Sequence, residues 1–126
     1  MRAVDTNVLI RLITRDDPQQ AATAERFVEA GAWVSVLALA EAAWVLDTAY
    51  SLSSKSVADA IEMLLDQGNV VLQDAAAVRA AIELFRARPS LGFSDCLMLE
   101  LARKAGHVPL GTFDRNLAKV EGAERL

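Results

Sequence analysis

Short apolar runs alternate along the chain with longer segments in which apolar residues recur every three or four positions. The short runs predict buried strands and the amphipathic segments predict helices. The predicted strands are residues 3–4, 32–36 ("AWVSV"), 69–73 ("NVVLQ"), 108–112 ("VPLGT") and, at an edge, 123–126 ("AERL"). The predicted helices cover residues 8–13, 18–31, 37–50, 57–67, 75–85 and 93–105.

Polar residues at the predicted helix ends support these boundaries. Asp17 followed by Pro18 is typical of an N-cap with proline at the first helical position. By the same reasoning Asp74 is predicted to cap one helix, and Ser94 or Asp95 another. Gly31 and Gly106 are predicted to close the helices that precede them.

The alternation of strands and helices predicts an α/β fold with a parallel sheet covered on both faces. In such sheets, ligands bind beyond the carboxyl ends of the strands. At 126 residues, the chain is expected to form one domain over residues 1–126.

Composition narrows the function classes. No uncharged apolar run reaches the length of a membrane span, and no signal peptide is visible, so a cytoplasmic protein is expected. A single cysteine rules out an internal disulfide and a cysteine-rich zinc site. The net charge of −4 disfavours a large basic surface for nucleic acid, unless carboxylates hold cations that meet the phosphates.

Four acidic residues lie at or near predicted strand ends and helix starts, where α/β proteins commonly have their functional residues. Asp5 lies at the end of the first predicted strand, and Asp114 directly follows the fourth. Glu41 lies about one turn into the helix after the second strand, and Asp95 begins the helix before the fourth strand. If the first, second and fourth strands are neighbours, Asp5, Glu41 and Asp114 converge at one edge.

A shared pocket of carboxylates requires a cationic partner, because like charges close together cannot all stay ionised. Mg²⁺ takes oxygen ligands, keeps several waters and usually needs only one or two direct carboxylates. Such a cation can activate a water and stabilise charge on a phosphodiester.

Simpler roles for these acids are also open. Asp5, Asp95 and Asp114 each occupy a position where a helix N-cap is favourable. Glu41 lies in a nearly all-apolar helix that is predicted to be largely buried, where an unpaired carboxylate is costly. A buried ion pair with an arginine is the alternative to a metal-binding role for Glu41.

Four segments resemble the acidic motifs of PIN-domain ribonucleases, and most closely the VapC-type toxins of bacterial toxin–antitoxin pairs. These segments are "VDTNVLIRLI", "LALAEAAWVL" with Glu41, "FSDCLMLELARKAG" and "GTFDRN". The segment "RDDP" is also typical of those toxins, and the resemblance runs the full length of the chain. It implies a PIN-like three-layer sandwich with a central parallel sheet of four to five strands.

The resemblance also implies an activity. PIN nucleases bind Mg²⁺ or Mn²⁺ and cleave RNA by attack of water at phosphorus. Carried over to this chain, Asp5 and Asp95 resemble the principal metal ligands, and Glu41 and Asp114 complete the catalytic acids. The residues expected to orient ligands or waters around them are Thr6, Asn7, Ser94, Thr112 and Asn116. Many relatives have an acid where this chain has Asn116, so a one-metal site is plausible.

The family resemblance implies three kinds of partner: an RNA substrate, a small antitoxin protein, and a second copy in a homodimer or a toxin–antitoxin hetero-oligomer. Helix faces with Phe27 and Val28, or with Val57 and Ile61, are candidate surfaces for the antitoxin, although core packing is the favoured role for any one of these residues. The alternative function is a catalytically silent PIN-like module that binds RNA or protein.

Several other residues invite two interpretations. Among the arginines, Arg115 and Arg11 are the candidates for RNA contact, and ordinary solvated charge is the alternative. Trp33 and Trp44 are able to stack bases, but they lie in apolar runs and are predicted to be core. Cys96 is predicted to be a small buried hydrophobic residue. His107 is predicted to lie in the turn before the fourth strand.

Overall fold

Six helices and five short strands alternate in the computed structural model, which describes residues Met1–Leu126. The helices are Thr6–Thr14 (α1), Pro18–Val28 (α2), Val36–Thr48 (α3), Ser54–Asp66 (α4), Ala75–Ala87 (α5) and Phe93–Ala105 (α6). The strands are Arg2–Ala3 (β1), Ala32–Val34 (β2), Val70–Leu72 (β3), Leu110–Thr112 (β4) and Ala123–Arg125 (β5). Short 3₁₀ turns cover Pro89–Leu91 and Leu117–Lys119. The predicted α/β order is confirmed.

All strand pairs are parallel, but they form two separate sets. The first set has the order β1-β2-β3, and the second joins β4 to β5. The predicted central sheet of four to five strands is therefore observed as three strands plus two. β1 and β2 are neighbours, as expected, whereas β4 is hydrogen-bonded to β5 alone.

One face of the three-stranded sheet is incompletely covered. Along β2, Ala32 and Val34 are buried, while Trp33 between them is 37% exposed. Val71, which lies opposite Trp33 on β3, is also exposed. Successive residues of a strand point to opposite faces, so the exposed residues share one face. The predicted cover is therefore incomplete over one face of β2 and β3, and the assignment of Trp33 to the core is wrong.

The core is formed by the inward faces of the helices and by alternate strand residues. Its largest fully buried side chains include Leu9, Ile10, Leu39, Leu46, Ile61, Leu64 and Leu99. Three of the four candidate antitoxin contacts, Val28, Val57 and Ile61, are buried in this core. The fourth, Phe27, is half-buried, and its ring is covered by the guanidinium of Arg2 at 3.7 Å. The core-packing interpretation therefore holds for the three aliphatic residues.

The predicted caps are partly right. The Asp17 carboxylate accepts the backbone N–H of Gln20, with Pro18 in the first turn of α2, as expected. Asp74 occupies the N-cap position of α5, but its carboxylate pairs with Lys104 instead of capping. The predicted capping contact is absent because the backbone of Asp74 is left-handed, with a φ of 52°, whereas a capping side chain requires an extended backbone.

Three further sequence expectations can be compared with the structure. α2 ends at Val28, and Gly31 lies beyond it in the turn at a φ of 100°, so the predicted helix was too long. Cys96 is fully buried, and burial raises the pKa of its thiol to about 12, so it acts as a small hydrophobe. His107 follows Gly106 in the turn after α6, as expected. No helix is both long and apolar enough to cross a membrane.

Candidate active site

Asp5 lies between β1 and α1 and is the N-cap of α1. Its Oδ1 accepts the backbone N–H of Val8 at 3.1 Å, and its backbone is extended, as an N-cap residue requires. This contact confirms the capping role. The other oxygen, Oδ2, has no hydrogen bond to the protein, so capping leaves Asp5 with one oxygen available to a ligand. Asp5 and Asn7 both line a groove between α1 and α2.

Glu41 on α3 faces the start of α1. The hydroxyl of Thr6 donates to Glu41 Oε2 at 2.8 Å, which connects the exit of β1 to α3. Glu41 is exposed and forms no ion pair with arginine, so the expectation of a buried carboxylate is wrong. The reason is that α3 is apolar on nearly all sides, and the sequence pattern does not show which side faces solvent. Thr6 holds one oxygen of Glu41 and leaves the other unbonded.

Asp95 is the one candidate acid whose carboxylate accepts no hydrogen bond from the protein. It lies in the first turn of α6, is half-buried, and accepts no hydrogen bond from the protein. Partial burial raises the pKa of Asp95, and the negative charge of Asp114 raises it further. The N-cap position of α6 is Gly92, so the prediction that Ser94 or Asp95 caps this helix is wrong. Both carboxylate oxygens of Asp95 therefore stay available.

Asp114 is held in position by residues on both sides. The hydroxyl of Thr112 accepts the backbone N–H of Asp114 at 3.0 Å. Asp114 Oδ1 in turn accepts the backbone N–H groups of Asn116 and Leu117, at 2.7 and 3.1 Å. Its Oδ2 is free of protein hydrogen bonds. The backbone of Asn116 and Leu117 thus fixes the Asp114 carboxylate, while Thr112 holds the Asp114 backbone.

One hydrogen bond and one electrostatic effect link the candidate acids to their surroundings. The hydroxyl of Thr6 joins α1 to Glu41, and the negative charge of Asp114 acts on the Asp95 carboxyl. α3 packs against both α1, which follows Asp5, and α6, which carries Asp95. No three acidic, histidine or cysteine side chains are close enough together to form a ready-made metal cluster.

The donor set nevertheless suits a hard divalent cation. Every one of the four acids keeps at least one carboxylate oxygen without a protein partner. Mg²⁺ prefers oxygen ligands and is commonly held by one or two carboxylates, with water completing its coordination. Asp95 and Asp114 meet that requirement as a pair, and the repulsion between them is what a cation relieves. Direct ligation by all four acids stays a prediction.

A family model provides the comparison that decides the identity of the fold. The PIN domain model matches residues 2–123 of the chain. The chain belongs to the PIN-domain family. Members of this family are commonly metal-dependent nucleases that act on RNA or DNA. Comparisons with curated proteins and with solved structures gave no match.

The two candidate RNA-binding arginines of this PIN domain differ in their surroundings. Arg115 is exposed beside Asp114 and forms no ion pair or side-chain hydrogen bond. Arg11 is engaged within the protein: Nε donates to Gln20 at 2.6 Å, and a second nitrogen contacts Asp16 at 3.2 Å. Arg115 is therefore the better placed of the two for a phosphate, and Arg11 has a structural role.

Three features of this site were missed by the sequence analysis. Ser90, in the 3₁₀ turn before α6, accepts a hydrogen bond from the Asn116 side chain at 2.9 Å and links the loops that carry Asp95 and Asp114. Gly92 adopts a φ of 80° at the start of α6, which favours glycine. Trp44 was assigned to the core, but it is 64% exposed. Glycine in "PSLGFSD" was a local signal for the turn, whereas the Ser90 contact depends on tertiary structure alone.

Proposed function

We propose that this PIN domain is a metal-dependent endoribonuclease that hydrolyses RNA phosphodiester bonds. The observation that carries the proposal is Asp95: a half-buried carboxylate without a protein hydrogen bond, whose pKa is raised by burial and by the charge of Asp114. A structural carboxylate is normally stabilised by hydrogen bonds or a cation of the protein. Carboxyl groups with a raised pKa are favoured at functional sites.

Mg²⁺ or Mn²⁺ is the proposed cofactor, with Asp95 and Asp114 as the first candidates to hold it. When bound, the cation activates water and neutralises charge on the phosphodiester. Asp5 and Glu41 contribute one free oxygen each to the same acidic set. Thr6 orients Glu41, while Thr112 and Asn116 orient Asp114, as residues behind a metal site commonly do.

The proposed substrate is RNA, with Arg115 as a phosphate contact near Asp114. We assign no sequence specificity, because RNA recognition depends on loop shape and unpaired bases. Ser94 and Asn7 are exposed next to the acids and have no side-chain hydrogen bond to the protein. They are therefore available to orient water or substrate, which is the role that the sequence predicts for them.

Cleavage of single-stranded RNA with Mg²⁺ or Mn²⁺ tests the proposal. Asp5→Asn is the informative variant, and Asp17→Asn is its matched control, because both aspartates are N-caps and asparagine caps about equally well. We expect EDTA and Asp5→Asn each to lower cleavage at least roughly 100-fold, since electrostatic groups of an active site contribute on this scale. Asp17→Asn should cleave like the unaltered protein. Activity that survives both EDTA and Asp5→Asn would contradict the proposal.

We further propose that the nuclease is the toxin of a cytoplasmic toxin–antitoxin pair and forms a homodimer or a hetero-oligomer with its antitoxin. The resemblance to VapC-type toxins supports this role. Induction in a bacterial host should arrest growth, and Asp5→Asn should restore it. Growth that continues despite accumulation of the active enzyme would count against a toxin role without affecting the nuclease assignment.

The alternative is a catalytically silent PIN-like module that binds RNA or protein. It is favoured by the backbone N–H groups that Asp5 and Asp114 accept, which give both acids a structural role. A silent module predicts no affinity for Mn²⁺ and no cleavage, but a loss of stability when Asp114 is replaced by alanine. Titration calorimetry with Mn²⁺ separates the two functions.

A further inference from the structure

Trp44 is a large exposed aromatic residue for which the proposed acidic site provides no role. It lies three positions after Glu41, so the two side chains occupy the same side of α3, about one turn apart. Glu41 and Trp44 are both exposed, while Leu39, Ala42 and Leu46 on the opposite side are buried. Trp44 therefore presents an aromatic face on the same exposed side of α3 as the candidate acid Glu41.

A cavity of about 230 Å³ connects Trp44 to Asp95. Apolar side chains, including Leu52 and Phe93, form much of its wall. Three polar side chains at the same cavity have no hydrogen bond to the protein: Asp47, Ser54 and Ser94. The cavity therefore combines an aromatic surface, an apolar wall and unpaired polar groups, as a site for a planar heterocycle does.

We propose that this cavity binds one nucleobase of single-stranded RNA, which stacks on Trp44 while its phosphate lies at Asp95. The inference rests on the proposed nuclease function and names the part of the RNA that the site holds. Aromatic side chains stack unpaired bases without strict sequence preference, because every base has a π face. The free groups of Ser54, Ser94 and Asp47 are available to the edge of the base and provide modest selectivity.

The shape of the surface favours a base over a protein partner. The cavity is concave, about the size of one heterocycle, and continuous with a candidate catalytic carboxylate. Leu37, the other exposed apolar residue of α3, does not line it. Base stacking in this cavity uses Trp44 and not Leu37, so Leu37 is a suitable exposed control on the same helix.

RNA binding by Trp44 variants tests this inference. Labelled single-stranded RNA hexamers are titrated with the whole protein in Ca²⁺, which also binds carboxylates, and fluorescence anisotropy reports the dissociation constant. Trp44→Ala should weaken binding roughly 5- to 100-fold, the scale of one stacked base. Trp44→Phe should retain most of the affinity, and the matched control Leu37→Ala should bind like the unaltered protein.

Intrinsic fluorescence gives a second readout that does not depend on the stability of Trp44→Ala. The chain has two tryptophans, so Trp33→Phe leaves Trp44 as the only one. RNA should quench its emission. Unchanged emission with bound RNA, or normal RNA affinity in Trp44→Ala, would overturn the inference. A change in sedimentation mass with normal RNA affinity would instead assign Trp44 to contact between two copies, which also overturns it.

The outcomes separate this inference from the proposed function. If the unaltered protein cleaves RNA with Mn²⁺ but Trp44 variants bind and cleave normally, stacking is wrong and the nuclease assignment stands. If the unaltered protein neither cleaves nor binds RNA, both fail.

Discussion

At the scale of single residues, Asp5 and Asp114 show that a carboxylate can hold backbone N–H groups and still keep one oxygen free of protein contacts. Each uses Oδ1 to accept backbone N–H groups and leaves Oδ2 unbonded. Residue type and position along the chain predicted the caps at Asp5 and Asp17. They did not predict the partner of Glu41, because the hydroxyl of Thr6 reaches it only after α1 and α3 have packed together.

The raised pKa of Asp95 leads to a prediction about stability. A carboxyl whose pKa is higher in the folded than in the unfolded protein destabilises the fold as pH rises through that pKa. Asp95→Asn should therefore raise the thermal midpoint at pH 7, by roughly 1–3 °C for a domain of this size. The gain should vanish below the ordinary aspartate pKa, where both forms are neutral.

Thermal unfolding followed by circular dichroism between pH 3 and pH 8 measures this difference. Glu83→Gln, at an exposed acid of α5, is the control and should leave the midpoint unchanged. A lower midpoint for Asp95→Asn at pH 7 would show that the Asp95 carboxylate stabilises the fold, contrary to the account.

At the scale of elements, α3 shows where sequence patterns are least informative. Its residues are apolar on nearly all sides, which predicted a largely buried helix. The structure buries Leu39 and Leu46 but exposes Leu37 and Trp44. A helix without a polar side carries no periodic signal for its orientation, so only tertiary packing decides which residues face solvent.

Two leucines of α3 provide a matched test of this orientation. Leu46→Ala should lower the free energy of unfolding by about 3 kcal/mol, because it removes a fully buried side chain and leaves a cavity. Leu37→Ala, at an exposed position, should change it by less than about 0.5 kcal/mol. Urea unfolding measures both. Equal losses for the two variants would contradict the assigned orientation.

A polar network joins α1, the loop after it and the end of α3. The hydroxyls of Tyr50 and Thr14 donate to Asp16, each with a distance near 2.8 Å, and Arg11 contacts the same carboxylate. The Tyr50 and Thr14 hydrogen bonds, followed by the charge of Arg11, lower the pKa of Asp16. This contribution to stability is present above the ordinary aspartate pKa and is lost as pH falls through the lowered one.

Tyr50→Phe should therefore lower the thermal midpoint by roughly 1–4 °C at pH 7. The difference from the unaltered protein should shrink in acid, when Asp16 is protonated in both proteins. A difference that is constant from pH 2 to pH 7 would indicate lost packing instead of a lost hydrogen bond to the carboxylate.

At the scale of the whole molecule, alternation of strands and helices was enough to predict the α/β class and the parallel strands. The division into three strands and two was not predictable, because pairing between distant strands depends on how the helices pack between them. For the same reason, the sequence proposed a set of site acids but not how closely they approach one another, and the assignment of all four to one site stays a prediction. Membership of the PIN family agrees with the predicted fold, and the charge of Asp114 acts on the Asp95 carboxyl.

Binding of Mn²⁺ to the whole protein tests the central claim most directly. Titration calorimetry should detect a site in the unaltered protein and in Asp17→Asn, and the affinity should fall at least tenfold in Asp95→Asn and in Asp5→Asn. Asparagine preserves the cap at Asp5, so a loss there reports the missing charge and not a damaged helix. Equal Mn²⁺ affinity in all four proteins, or no affinity in any, would contradict a cation held by these acids.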